Sequence, residues 1–163
     1  MKILPMTLVL MLSMSVAANA DDGPSMVQTQ RLSMDTALTI ARAAIAACEN
    51  KGVQVSATVV DRNGVVQVVL RNTIAAPISL LISKGKAYTA ANFNNATGAM
   101  PQLANMAIGR VPGLILTAGG LPIEVGGALV AAVGVSGASS GDTDEECAQA
   151  GIDAVLDDLE MAL

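Results

Sequence analysis

The sequence predicts one α+β domain in which helices flank an antiparallel five-stranded sheet. Strand-like runs rich in β-branched residues follow one another through hairpin turns, and helical patterns precede, separate and follow them, in the order α-β-β-α-(α)-β-β-β-α. Strands joined by hairpins pair antiparallel, and helices grouped outside the strand runs cover a face of such a sheet. The 163 residues suffice for one core of ordinary size.

The first twenty residues are typical of a secretory signal peptide. Lys2 is followed by an almost wholly apolar run over residues 3–16, and Ala18-Asn19-Ala20 has the small-residue pattern of a cleavage site. We therefore expect cleavage between Ala20 and Asp21 and a periplasmic or secreted protein. After cleavage, no apolar run is long enough to span a membrane.

The first helix is predicted to follow residues 21–32, a polar segment expected to be flexible, and to open the domain of residues 33–163. Ser33 is a suitable N-cap, and Gly52 ends the helix as a C′ residue. Its apolar positions recur at the three- and four-residue spacing of one helix face. They are Met34, Ala37, Leu38, Ala41, Ala44, Ile45 and Cys48.

A hairpin is predicted next, with strands over Val53 to Val60 and Val65 to Leu70. Asp61-Arg62-Asn63-Gly64 forms the turn, in which Asn-Gly supplies the positive φ values. Asp61 is first of all a turn residue. It is also the best acid/base candidate if the protein is an enzyme.

The second half begins with a helix that Pro77 opens as an N1 residue and that runs to about Phe93. A short helix around residues 102–107 is followed by three short strands, over residues 114–116, 121–125 and 129–135. The last helix is predicted to run to about Glu160. Thr143 and Glu146 form a capping box at its start.

Composition disfavours several classes of functional site. Gly137-Ala138-Ser139-Ser140-Gly141 matches the G-x-S-x-G turn of hydrolases, but the chain has no His to activate Ser139. There is no P-loop, and two distant cysteines without His do not form a zinc site. A net charge of −5 and a nearly aromatic-free chain disfavour nucleic acid as a partner. We therefore predict no catalytic residues and no metal site.

Two cysteines, Cys48 and Cys147, suffice for one disulfide in an exported protein. The bridge requires the end of the first helix to meet the start of the last, with the two helices antiparallel on one side of the sheet. The alternative is two separate buried thiols that act as small apolar side chains.

From about Leu38 to Leu159, the sequence resembles the GlcG/HbpS family of heme-binding proteins, a domain type also found at the C-terminus of PduO-type proteins. The segments that carry the resemblance are Val59-Val60-Asp61 with Gly64, Lys84 to Phe93, Pro112-Gly113-Leu114, Gly119 to Ile123, Val133 to Gly137, Asp144 and Ala150-Gly151. The resemblance implies a five-stranded antiparallel sheet with flanking helices, frequent oligomers, heme binding in some members and accessory or sensory roles in others.

The leading functional hypothesis is a periplasmic or secreted protein that binds heme or another small ligand. Without His, the available axial ligands are Tyr88, Thr89, Met100 and Met106, and the cations available to the propionates are Lys84, Lys86 and Arg110. Each of these residues also has an ordinary structural interpretation, in the core or as a solvated side chain. One alternative is an enzyme that acts on a small hydroxy or keto acid or on heme.

The other alternative is a purely structural interaction module. Apolar residues make up 52% of the chain, which would leave apolar patches exposed unless subunits pack together. We therefore expect a homo-oligomer.

Overall fold

The sheet has four antiparallel strands, one fewer than the sequence predicts. The computed structural model describes residues 25–162 and orders the strands β2-β1-β4-β3. The helices and strands are α1 (Met34–Asn50), β1 (Ser56–Asp61), β2 (Val66–Arg71), α2 (Ile78–Phe93), β3 (Gly120–Val125), β4 (Ala128–Ser136), α3 (Gly141–Asp153) and α4 (Leu156–Met161), with three short 3-10 turns between Thr97 and Arg110. The predicted signal peptide lies outside the described residues.

The segment 114–116, predicted as a strand, is irregular and packs on α2 instead of joining the sheet. The backbone N–H of Ile115 donates to the Thr89 hydroxyl at 2.9 Å, and that of Leu114 closes a turn on Val111 O. The Ile115 amide thus donates to a helix side chain and the Leu114 amide donates within a local turn, so these amides are not available to pair the segment with β3.

One face of the sheet carries α1 and α3, which enclose the larger core. Ser33 caps α1 by accepting from the Thr36 amide, and Gly52, with φ of 75°, follows its end as predicted. Met34, predicted on the apolar face of this helix, is instead exposed, while Ile40 is fully buried. Cys48 and Cys147 form the predicted disulfide, with their Cα atoms 5.5 Å apart.

The polar segment before α1 is attached to the fold at its last two residues. Arg31 forms an ion pair with Asp61 at 2.6 Å, and Leu32 is buried in the larger core. The other Asp61 oxygen accepts from the amides of Asn63 and Val65, so Asp61 acts as the predicted turn residue. In this turn Gly64 alone has a positive φ, and a register shift lies at the start of the hairpin, between Val59 and Val60.

The other face of the sheet carries α2 alone, and the contact is made through small and hydroxyl side chains. Ser79 and Ser83 of the helix are hydrogen-bonded to Ser56 and Thr58 of β1, at 2.7 and 2.8 Å. Farther along, this contact becomes a small apolar cluster of Val60, Ala87, Ala90, Ala91 and Ala132. The small side chains let the helix lie close to the sheet.

Gly134 of β4 lies directly beneath α2, so we expect Gly134→Ala to destabilise the fold. A Cβ there would overlap Ser83 O and stand 2.5 Å from the Ala87 amide nitrogen, and neither backbone group can move aside. We expect a loss of about 2–3 kcal/mol in the free energy of unfolding, the upper part of the range for overpacked sites. Urea unfolding followed by far-UV circular dichroism measures it. Ala128→Val, at the exposed start of the same strand, is the matched control. A loss equal in both variants would contradict the close contact.

The predicted final helix is two helices, because α3 ends at Asp153 and α4 starts at Leu156, on either side of a turn that buries Val155. The predicted capping box of Thr143 and Glu146 is also wrong. Ser140 is the N-cap of α3 and accepts from the Asp142 amide, so the helix starts before Thr143. At the other corrected boundary, α2 begins one residue after Pro77, which takes the N-cap position.

Candidate functional site

A cavity of about 330 Å³ lies between the outer side of α2 and the irregular segment that follows the 3-10 turns. We call it the α2 cavity. Its lining is Leu81, Lys84, Gly85, Tyr88, Pro112, Gly113 and Ile115. Four of these residues fall on successive turns of one helix face, so the regular geometry of α2 forms one wall. The volume lies at the lower end of the range for small-ligand sites.

The second wall of the α2 cavity is fixed to the helix at Thr89. The Thr89 hydroxyl donates to Gly85 O at 2.8 Å and accepts from the Ile115 amide at 2.9 Å. Gly85 lets the two walls meet, since a Cβ at this position would overlap Ile115 Cγ1. Thr89 is fully buried, so its hydroxyl positions the wall instead of facing the cavity.

The chemistry of the α2 cavity is apolar with one cation and one phenol. Leu81, Pro112 and Ile115 give it an aliphatic lining, and Lys84 is the charged residue of the lining. Tyr88 is 37% exposed, and its ring rests against Gly64, where a Cβ would stand 2.7 Å from Tyr88 Cδ2. Such a lining suits an apolar ligand with an acidic group.

The charges of the sequence reinforce this preference for an acidic ligand. Residues 62–123 contain five basic residues (Arg62, Arg71, Lys84, Lys86 and Arg110) and no Asp or Glu. All fourteen acidic residues lie outside this stretch, which includes every residue that lines the α2 cavity. The lining of the α2 cavity therefore contains a lysine and no carboxylate.

Lys86, expected as a partner for propionates, is buried and points away from the α2 cavity. Its ammonium is 2.8 Å from an Asp144 carboxylate oxygen and donates to Val135 O at 2.9 Å. The other Asp144 oxygen accepts from the Ala138 amide at 3.0 Å. This ion pair joins α2 to α3. It lies against Gly119, where a Cβ would stand 2.7 Å from the ammonium nitrogen.

The remaining predicted site residues do not line the α2 cavity. Met100 is buried, whereas Met106 is exposed and lies between two 3-10 turns. Arg110 ends the last of these turns and is also exposed. Of the seven predicted residues, the structure thus brings Lys84 and Tyr88 together in the cavity and places Thr89 behind its wall.

The aliphatic half of the cavity, Leu81 and Ile115, and the buried ion pair of Asp144 were not expected from the sequence. The sequence does carry a signal for Leu81. The large apolar residues of α2 are spread among Ser and Gly around the helix, so a single face packed on the sheet cannot account for all of them. Ile115 was assigned to a strand, and Asp144 was named only among the residues that carry the family resemblance.

A second depression of similar size is acidic. Asp142, Glu145 and Glu146 line it together with Leu121 and Gln149. Within residues 25–162, no three His, Cys, Asp or Glu side chains are arranged so that they could hold a metal ion. In that same range, no helix combines the length and apolar character needed to cross a membrane.

Comparisons with known proteins place this geometry in context. The family described as "Haem degrading protein HbpS-like" matches residues 32–153. A double mutant of Streptomyces reticuli HbpS is 39% identical with a TM-score of 0.76, over 86% of this chain and 98% of that one. Klebsiella pneumoniae protein ORFY is 26% identical with a TM-score of 0.75, over 80% and 94%. A PduOC:heme complex is 25% identical with a TM-score of 0.70, over 76% and 94%. No curated protein matches the chain.

Proposed function

Because the chain belongs to the HbpS-like family, we propose that it is a periplasmic or secreted protein that binds heme or a related acidic amphiphile and serves an accessory or sensory role. The observation that carries the proposal is the α2 cavity, in which an aliphatic lining stands beside one lysine and one tyrosine. The solved PduOC:heme complex supports heme as the first ligand to test. The Cys48–Cys147 disulfide supports export, because such bridges persist in oxidising compartments.

The residues of the α2 cavity fit heme in three respects. Leu81, Pro112 and Ile115 offer apolar contact to the macrocycle, and Lys84 can pair with a propionate at the rim. Tyr88 carries the cavity's phenol oxygen, a known type of axial ligand. The bound iron would supply redox and ligand-binding chemistry. The protein's part is to orient the macrocycle and to shield one of its faces from water.

A hemin titration tests the proposal directly. We expect a saturable shift of the Soret band at micromolar hemin. If Tyr88→Phe still binds hemin but loses this shift, the phenol oxygen is an iron ligand. Far-UV circular dichroism of each variant controls for folding. The absence of any saturable shift in the wild-type protein would refute heme as the ligand.

Lys84→Ala should weaken hemin binding while leaving an uncharged analogue unaffected. The exposed position of Lys84 limits its pairing with a propionate to roughly 1 kcal/mol, or about fivefold in affinity. Hemin dimethyl ester lacks the carboxylates, so its affinity should not change in Lys84→Ala. Arg42→Ala, on the opposite side of the sheet in α1, is the matched control. An equal loss for hemin and for the ester would show that Lys84 contributes packing and not charge.

The family description favours one further candidate, the degradation of heme. The protein–hemin complex would be incubated with oxygen and ascorbate, and loss of the Soret band compared with that of free hemin. Faster loss together with released iron would establish degradation. Loss at the rate of free hemin would leave binding as the function.

A further inference from the structure

We propose that the hairpin turn over residues 61–64 positions the Tyr88 ring at the α2 cavity, and that Arg31 connects this turn to the segment before α1. Asp61 and Gly64 are then positioning residues for the ligand site, although neither lines it. The identity of the ligand rests on the proposed function, whereas the turn and its contact with the ring stand on the geometry alone.

Asp61 holds the turn through both its side chain and its backbone. One carboxylate oxygen accepts from the amides of Asn63 and Val65, at 2.9 and 3.0 Å, and the other lies 2.6 Å from Arg31 Nη1. The carbonyl oxygen of Asp61 accepts from the Gly64 amide at 2.8 Å. The Asp61 side chain is only 7% exposed, so these donors replace the water that would otherwise solvate the carboxylate. The carboxylate thus holds the turn together and fastens it to Arg31.

The strand before the turn is fixed against α2. Val60 is fully buried, in the apolar cluster that also contains Ala87 and Ala91 of the helix. These alanines stand immediately before Tyr88 and three residues after it, so the strand meets the helix beside this ring. A register shift between Val59 and Val60 lies at the same point, and such a shift bends the strand and re-aims the residues next to it.

Gly64 is the point of contact between the turn and the ring. A Cβ at this position would stand 2.7 Å from Tyr88 Cδ2 and 3.0 Å from Tyr88 Cε2. It would also stand 3.1 Å from Asn92 Nδ2, which donates to the carbonyl oxygen of Tyr88 at 2.9 Å. The turn therefore lies against two successive turns of α2, and any side chain at residue 64 would enter the space of the ring.

The contact matters for the ligand because the Tyr88 ring belongs to the cavity lining and to the contact with the turn at once. A tyrosine on a helix has two accessible χ1 rotamers, and the turn occupies space along one edge of this ring. A phenol that is already held in place loses less side-chain entropy when a ligand binds. The turn should therefore strengthen binding at the α2 cavity.

Arg31 extends this arrangement to the N-terminal segment. Residues 25–31 are exposed, and Leu32 is the first buried residue of the described chain. The segment is attached to the hairpin at two points, by Arg31 at the turn and by a hydrogen bond from the Gln67 side chain of β2 to Leu32 O. Displacement of the segment would release Arg31 from Asp61 and loosen the turn that holds the ring. Binding at the α2 cavity should therefore depend on how this segment lies.

Gly64→Ala tests the contact, with Gly127→Ala as the matched control. The two glycines have φ of 80° and 78°, so alanine introduces the same backbone strain at both. A Cβ at residue 127 meets no atom within 4 Å, whereas one at residue 64 meets the ring. Hemin affinity should fall roughly two- to tenfold in Gly64→Ala, the effect of a side chain forced off its rotamer, and should stay unchanged in Gly127→Ala. Equal affinities in the two variants overturn the positioning of the ring.

Tyr88 reports its own position without any ligand, because it is the one Tyr in a chain that has no Trp. The tyrosine band in near-UV circular dichroism depends on fixed packing around the ring, so it should change in Gly64→Ala and not in Gly127→Ala. A purely structural role of Gly64 would lower the free energy of unfolding in both variants and leave this band alike in both. An unchanged band in Gly64→Ala that folds, as judged by far-UV circular dichroism, overturns the proposal.

Asp61→Asn and Arg31→Ala test the connection to the N-terminal segment, and they do so even if residue 64 tolerates no side chain. Asparagine keeps an oxygen for the turn amides but removes the ion pair. Acrylamide should quench Tyr88 fluorescence roughly 1.5-fold more strongly in both variants, as expected when a half-exposed ion pair is lost, and to the wild-type extent in Arg31→Lys. Lys51→Ala, which breaks an exposed pair in another part of the fold, is the matched control. Wild-type quenching in both test variants overturns the connection.

Hemin separates this proposal from the proposed function. If the wild type and Gly64→Ala bind hemin with the same affinity, the positioning role is overturned and heme binding stands. If the wild type binds no hemin, but the Tyr88 band and its quenching change as described, heme is refuted as the ligand and the turn is supported as the element that positions the ring.

Discussion

Lys86→Met should lose about 3–5 kcal/mol in the free energy of unfolding, because it leaves the Asp144 carboxylate buried without its counter-ion. Both side chains of this pair are at most 4% exposed, so water cannot replace the missing partner. Asp144→Asn should cost a similar amount for the converse reason, since it leaves a buried ammonium. Urea unfolding of the oxidised protein, followed by far-UV circular dichroism, measures both losses.

The control for the buried pair is the exposed ion pair of Lys51 and Glu146, whose side chains are 44% and 62% exposed. Glu146→Gln should cost less than about 1 kcal/mol, as is usual for a solvated pair. The double variant of Lys86→Met with Asp144→Asn should recover a large part of the single losses, because no buried charge remains. Additive losses in the double variant would show that the two charges do not depend on each other.

Reduction of the Cys48–Cys147 disulfide should lower the free energy of unfolding by about 4–5 kcal/mol. The bridge joins residues 99 positions apart, and in the chain-entropy model a loop of that size restricts the unfolded chain by about this amount. Both cysteines are fully buried, so their reduction should require at least partial opening of the contact between α1 and α3. Urea midpoints with and without reductant measure the difference.

The double variant Cys48→Ala with Cys147→Ala is the control for reduction. Its stability should match that of the reduced wild type to within about 1 kcal/mol and should not respond to reductant. Thiol labelling of the unreduced, denatured wild type should find no reactive thiol. Two reactive thiols per chain would contradict the bridge.

Local patterns in the sequence predicted the regular elements well where a short-range signal determines them. The cap at Ser33, the glycine after α1 and the turn at Asp61 each depend on a few neighbouring residues, and the structure contains all three. The antiparallel approach of α1 and α3 was also predictable, because Cys48 and Cys147 lie at helix ends that a bridge must bring together.

The sequence predicted less well where distant residues decide the structure. The segment 114–116 has the composition of a strand, but Thr89 and Gly85 of α2 offer it a hydrogen bond and a contact that no sequence window contains. The buried ion pair of Asp144 has no local signal in the sequence, because its partner Lys86 lies 58 residues away. Tyr88 and Lys84 lie together in the α2 cavity because they occupy neighbouring turns of one helix.

The position of the disulfide has a mechanical consequence. All four strands and α2 lie between Cys48 and Cys147, so a pulling force applied at the two ends of the chain passes through the bridge and not through the sheet. Only the segments before Cys48 and after Cys147 can be drawn out while the bridge is intact. The two cysteines are 99 positions apart in the sequence. The chain between them would be roughly 330 Å long if fully extended, and the intact bridge keeps it from being pulled out. In the oxidised protein, the sheet and the α2 cavity are thus shielded from tension at either terminus.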